Sequence, residues 1–89
     1  MTQHAELLTP PHNYAIVQLP ERKFPGVVFQ GDSLHSLVCE LEDIQEMLAS
    51  GEMVDAREDM SYLVERLRQV RDSYIRTLQS RGLGLPFPI

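Results

Sequence analysis

The sequence has one cysteine, no tryptophan, a single asparagine and fewer bases than acids. The lone Cys39 excludes an intrachain disulfide and fits a reducing compartment. No apolar run approaches the ~18 residues needed to cross a bilayer, so no membrane partner is expected. The opening residues, Met1-Thr2-Gln3-His4-Ala5-Glu6, lack the basic and long apolar segments of a secretory signal. A cytoplasmic location is therefore expected. Eight bases against 13 acids leave a net charge of −5. General nucleic-acid binding needs a basic surface to displace counterions, so nucleic acid is not an expected partner. A basic protein is a better match to this charge. No Gly-rich phosphate loop is present, because Gly82-x-Gly84 precedes two prolines. The composition implies no cofactor.

What is present fits one soluble domain over residues 1–89. Tyr14-Ala15-Ile16-Val17-Gln18-Leu19 and Val27-Val28-Phe29-Gln30 are rich in residues that suit a pleated, half-buried surface. Pro20, Pro25 and Gly26 punctuate the link between them. The link holds no crossover helix, so the two strands pair antiparallel. Ala5-Glu6-Leu7-Leu8 is a candidate third strand, set apart by the turn Pro10-Pro11-His12-Asn13. The second half changes period. Leu34, Leu37, Leu41, Ile44 and Leu48 recur at three- and four-residue steps, with Val38 beside them. Met60, Leu63, Leu67, Val70 and Tyr74 form a second such stripe. Ser50-Gly51 ends the first helix, Asp55 caps the second, and Gly82 stops it. The expected class is α+β: a small antiparallel sheet of two or three strands (about 4–8, 13–19 and 26–30), then an antiparallel helical hairpin (about 33–50 and 55–81). The second helix should overhang the first by about two turns. Residues 83–89 form an apolar C-terminal tail.

Gly31-Asp32-Ser33-Leu34 follows an apolar strand and opens a helix. Residues 27–34 resemble the first block of the GDSL esterases and lipases, where the serine is the nucleophile. An activated serine needs a base within reach and a third group to orient it. His4, His12 and His35 each lack an aspartate three residues before them, and Asn13 sits in no Gly-x-Asn-Asp block. The expected reading is therefore no catalytic residue and no enzyme, with Asp32 and Ser33 as helix-cap residues that accept an orphan N–H. A serine esterase stays as the remote alternative. A wider layout, Arg22-Lys23-Phe24-Pro25-Gly26 with Gln30-Gly31-Asp32-Ser33-Leu34, resembles a family of small uncharacterised bacterial proteins. That resemblance spans about residues 13–48. It implies a shared fold, names no activity, and by analogy admits an immunity protein.

His35 and Cys39 share the i, i+4 spacing of two metal ligands. Two ligands are too few, so no metal site is expected and Cys39 reads as a small, partly buried filler. Charge is divided more unevenly. Glu40, Glu42, Asp43, Glu46, Glu52, Asp55, Glu58 and Asp59 face only Arg57 across residues 40–59, whereas Arg66, Arg68, Arg71, Arg76 and Arg81 dominate 66–81. A helical hairpin turns this into an acidic tip and a basic opposite end. The expected partner-binding patch is Glu42, Asp43, Glu46, Glu52 and Asp55, with Met47 and Met53 as adaptable apolar contacts. The corresponding function is a protein-binding module, an immunity protein or antitoxin that occludes a basic toxin surface. The alternative is a structural protein that forms a homodimer.

Overall fold

The computed structural model describes residues 4–9 and 13–89. Three strands, β1 (Glu6–Leu7), β2 (Tyr14–Gln18) and β3 (Gly26–Phe29), precede two helices, α1 (Gly31–Ala49) and α2 (Met53–Ser80). The protein is α+β. The sheet is antiparallel in the order β1-β2-β3, with Tyr14 opposite Phe29 and Glu6 opposite Gln18. The third strand exists but spans only two residues. Beyond it the pairing is extended by Leu8 N–H on the Ile16 carbonyl (2.9 Å) and Ile16 N–H on Thr9 Oγ1 (3.0 Å). Of the turn expected at residues 10–13, only Asn13 lies within the described residues.

The β2–β3 link closes at Pro20-Glu21, where the Arg22 N–H reaches back to the Leu19 carbonyl (3.4 Å). Pro20 presets the first corner of this turn, and Glu21 takes the second with φ 64°. A side chain there is strained, because the left-handed region brings Cβ against the following carbonyl. Gln18 Nε2 holds the turn from inside, donating to the carbonyls of Leu19 (3.1 Å) and Arg22 (2.7 Å).

Sheet and hairpin share a residue. The Gln30 N–H extends the ladder to the Asn13 carbonyl (2.9 Å), while the Gln30 carbonyl accepts the first helical bond from Leu34 (3.0 Å). Gln30, in extended conformation, is the N-cap of α1, and it makes no side-chain capping bond. The cap position is therefore Gln30 and not Asp32 or Ser33, while the expected capture of an orphan N–H holds for Asp32. Both residues lie inside the first turn, because ladder pairing holds the chain extended right up to Gln30. Asp32 Oδ1 still accepts the otherwise unpartnered Ser33 N–H (2.8 Å). Asp55 moves inward in the same way, since α2 starts at Met53 with Glu52 as N-cap.

Both helices end through a left-handed glycine. Gly51 (φ 81°) sends the Glu52 N–H back to the Met47 carbonyl (2.9 Å), and Gly82 (φ 67°) sends the Leu83 N–H back to Leu78 (2.9 Å). Each closure satisfies carbonyls that the last helical turn leaves open. Glu52 thus both completes α1 and begins α2, so the hairpin loop is Ser50-Gly51-Glu52.

Two buried clusters hold the chain. At the base, Ile16 of β2 packs on Tyr74 and Leu78 of α2, with Leu8 and Leu85 against them. This sheet contact occupies the part of α2 that overhangs α1. The Tyr74 hydroxyl donates to the Pro25 carbonyl (2.7 Å), which ties α2 to the turn before β3. The tail docks here as well, since Phe87 stacks on Tyr74 with ring centroids 6.2 Å apart. Between the helices, Ile44, Ala56 and Leu63 form the second cluster, with Leu37 and Met47 beside it. Glu40 and Arg66 lock the same seam with two hydrogen bonds of 2.9 and 2.7 Å.

Candidate interaction surface

The tip of the hairpin is built by the glycine closure. Ser50 Oγ donates to the Glu46 carbonyl (2.7 Å) and to Glu52 Oε2 (3.1 Å), fixing Glu52 beside the end of α1. Asp43, Glu46, Met47 and Glu52 then line one open concavity with Ala49 and Ser50, of ≈ 660 Å³. Four of the seven residues expected in the patch therefore share a surface. Glu42, Met53 and Asp55 lie outside that concavity: Met53 is exposed in the first turn of α2, and Asp55 serves the positive end of that helix. Among the described residues none of these tip carboxylates forms an ion pair, and Glu40 alone of the acidic run does so, with Arg66.

A second depression, of ≈ 460 Å³, lies where the hairpin meets the sheet. Ser33 lines it together with Tyr14, Phe29, Ser36, Arg66 and Gln69. Among the described residues, no histidine, aspartate or glutamate is in that lining. His35 comes two residues after Ser33, about 200° around the helix at ~100° per residue, and so projects from the opposite side. Its Nε2 lies 3.5 Å from Cys39 Sγ. No group of three His, Cys, Asp or Glu side chains among the described residues could hold a metal ion. Cys39 is exposed, not the partly buried filler expected, because it lies on the side of α1 away from the helix seam.

The larger departure concerns the apolar stripes. Ile44 is buried and Leu37 half-buried, but Leu34 (51% exposed), Leu41 (43%) and Leu48 (48%) remain open, as do Val38, Met60, Val64 and Leu67. Periodicity identifies the apolar side of a helix; it does not reveal how much of that side a neighbour in the same chain can reach. The Tyr74–Pro25 bond was likewise invisible in the sequence, since a tyrosine in a helical stripe gives no sign of its acceptor.

Residues 1–87 match one family along almost the whole chain. The chain belongs to the family of unknown function DUF6959. The DUF6959 match takes in all three strands, both helices and most of the tail. It agrees with the uncharacterised family implied by the FPG and QGDSL layout. No curated protein and no solved structure matches the chain. No helix among the described residues is long and apolar enough to cross a membrane.

Proposed function

We propose that the protein is a binding module whose acidic hairpin tip docks on a basic protein surface. The observation that carries this reading is the grouping of Asp43, Glu46 and Glu52, without an ion pair among the described residues, around Met47 in one concavity. Like charges held together cost stability, and a basic partner reverses that cost. The carboxylates would speed encounter by steering, and the flexible methionine would adapt to the partner's apolar contacts. Asp55 borders this surface from the first turn of α2, whereas Glu42 and Met53 turn toward the other side of the hairpin. An immunity protein or antitoxin covering a basic toxin cleft is the specific form this module would take. Ser33 acts structurally in this reading.

The test is affinity capture from the native cell with the wild-type chain and with an Asp43→Lys, Glu46→Lys, Glu52→Lys variant. A specific partner should be retained by the wild type, lost by the variant, and released as salt is raised. Equal retention by both chains rejects the tip as the recognition surface.

A further inference from the structure

Most of the open apolar residues of the two helices share one side; Val54 and Tyr62 lie elsewhere. At ~100° per residue, Leu34, Leu41 and Leu48 form one line on α1, beside the seam made by Leu37 and Ile44. On α2, Met53, Met60, Val64 and Leu67 form a matching line beside Ala56 and Leu63. The helices run antiparallel, so these two lines fall on the same side of the hairpin. The other side carries Asp43, Asp59 and Tyr62 with the Glu40–Arg66 pair. The apolar side continues at the base into a cleft of ≈ 290 Å³ bordered by Val27, Leu67, Val70 and Phe87.

The size of the uncovered surface is informative. The chain exposes 6842 Å². A folded monomer of its 10.2 kDa mass exposes on the order of 5,300 Å². Its radius of gyration is 16.3 Å, against about 12 Å for a compact domain of this length. The excess of roughly 1,500 Å², summed over all surface of the elongated chain, leaves room for the ~800 Å² that each partner loses in a standard protein interface.

The margins of the face suggest what covers it. Beyond the apolar line, α1 presents Glu42 and α2 presents Arg57. Arg57 follows Ala56, which clusters with Ile44, so Glu42 and Arg57 lie at nearly the same height on the hairpin. A two-fold axis running along the hairpin would set α1 of one copy antiparallel on α2 of the other. Glu42 of each copy would then meet Arg57 of its mate, and the four helices would close into an antiparallel bundle.

We infer that this face is covered by a second copy of the chain, giving a two-fold four-helix bundle with a sheet attached to each hairpin. The interface lies on the opposite side of α1 from Asp43 and Met47, so it does not depend on the proposed role of the tip and leaves that tip open.

Sedimentation equilibrium on the full chain tests the inference. The wild type should have twice the 10.2 kDa chain mass in the micromolar range. Leu41→Glu or Val64→Glu, each placing a charge within the face, should weaken dimerisation by at least about 100-fold. Circular dichroism should show helix content unchanged in both. Glu42→Arg and Arg57→Glu should each weaken the dimer by roughly fivefold, and the double variant should recover the loss. This exposed pair carries the decision even where a face variant fails to fold. A wild-type chain that stays at its monomer mass to high concentration overturns the inference. So does a dimer indifferent to Leu41→Glu and Val64→Glu, or a charge pair whose double variant shows no recovery.

Discussion

The base and the hairpin of this protein are built from similar apolar residues, yet they are finished to different degrees. At the base, Leu78 is fully buried beneath Ile16, and Tyr74 is enclosed by Phe87 and hydrogen-bonded to Pro25. In the hairpin, Ile44, Ala56 and Leu63 fill only the seam between two helices, and the residues beside that seam face outward. The sheet, the overhanging end of α2 and the tail give the base three elements that meet. The hairpin has two, and two helices can cover only the stripe along which they touch. The same kind of amphipathic helix is thus completed in one half of α2 by its own chain and left open in the other half.

This contrast breaks first under truncation. Leu78→Ala should cost about 3–5 kcal/mol, because the base cannot collapse into the space left behind. That loss, read from urea unfolding, should be the same at every protein concentration. Leu34→Ala should cost less than about 1 kcal/mol where the chain is dilute, and the cost should grow with concentration if a second copy covers the residue. Equal and concentration-independent losses at the two sites would erase the distinction between a closed base and an open hairpin.

The Tyr74 hydroxyl sharpens the comparison. Burial raises its pKa above the ordinary 10.0. The folded state therefore favours the protonated phenol more than the unfolded chain does. The resulting stability is complete below about pH 10 and is lost as pH rises through the raised folded value. Tyr74→Phe should remove that alkaline loss and, at neutral pH, cost about 1–2 kcal/mol by leaving the Pro25 carbonyl unpaired. A variant whose alkaline unfolding curve matches the wild type would place the pH sensitivity elsewhere.

The smallest effect belongs to the turn that borders the base. Glu21→Gly should raise stability by up to about 1 kcal/mol, since glycine adopts φ 64° without strain and its greater unfolded freedom offsets part of the gain. Destabilisation by this change, measured as a lowered melting temperature, would mean that the Glu21 side chain makes a favourable contact that outweighs its backbone strain.

Most of the element order was legible because punctuation and periodicity agreed. Pro20, Pro25 and Gly26 bracket a link between two β-rich runs, and Gly51 and Gly82 stand where each helical stripe stops. Both expected helix starts fell two residues late. Asp32, Ser33 and Asp55 looked like caps, but Gln30 and Glu52 hold the cap positions through their backbones alone, and a backbone role leaves no mark on residue choice. Four of the seven residues of the expected tip patch came together because they lie on one turn of α1 and the loop after it. Glu42 was separated from Asp43 by the ~100° step between successive helical residues. Whether the tail would dock depended on Phe87 finding the ring of Tyr74, a contact between residues of two different segments that no local pattern announces.

The shared residue at Gln30 has a mechanical consequence. Ladder and helix meet at a single peptide, so there is no slack with which the hairpin could swivel against the sheet. The angular phase of α1 is inherited from β3, and with it the direction in which Leu34 and Leu41 look. One extra residue at this joint would turn the helix by about 100° and carry its leucines away from the side they now share with α2.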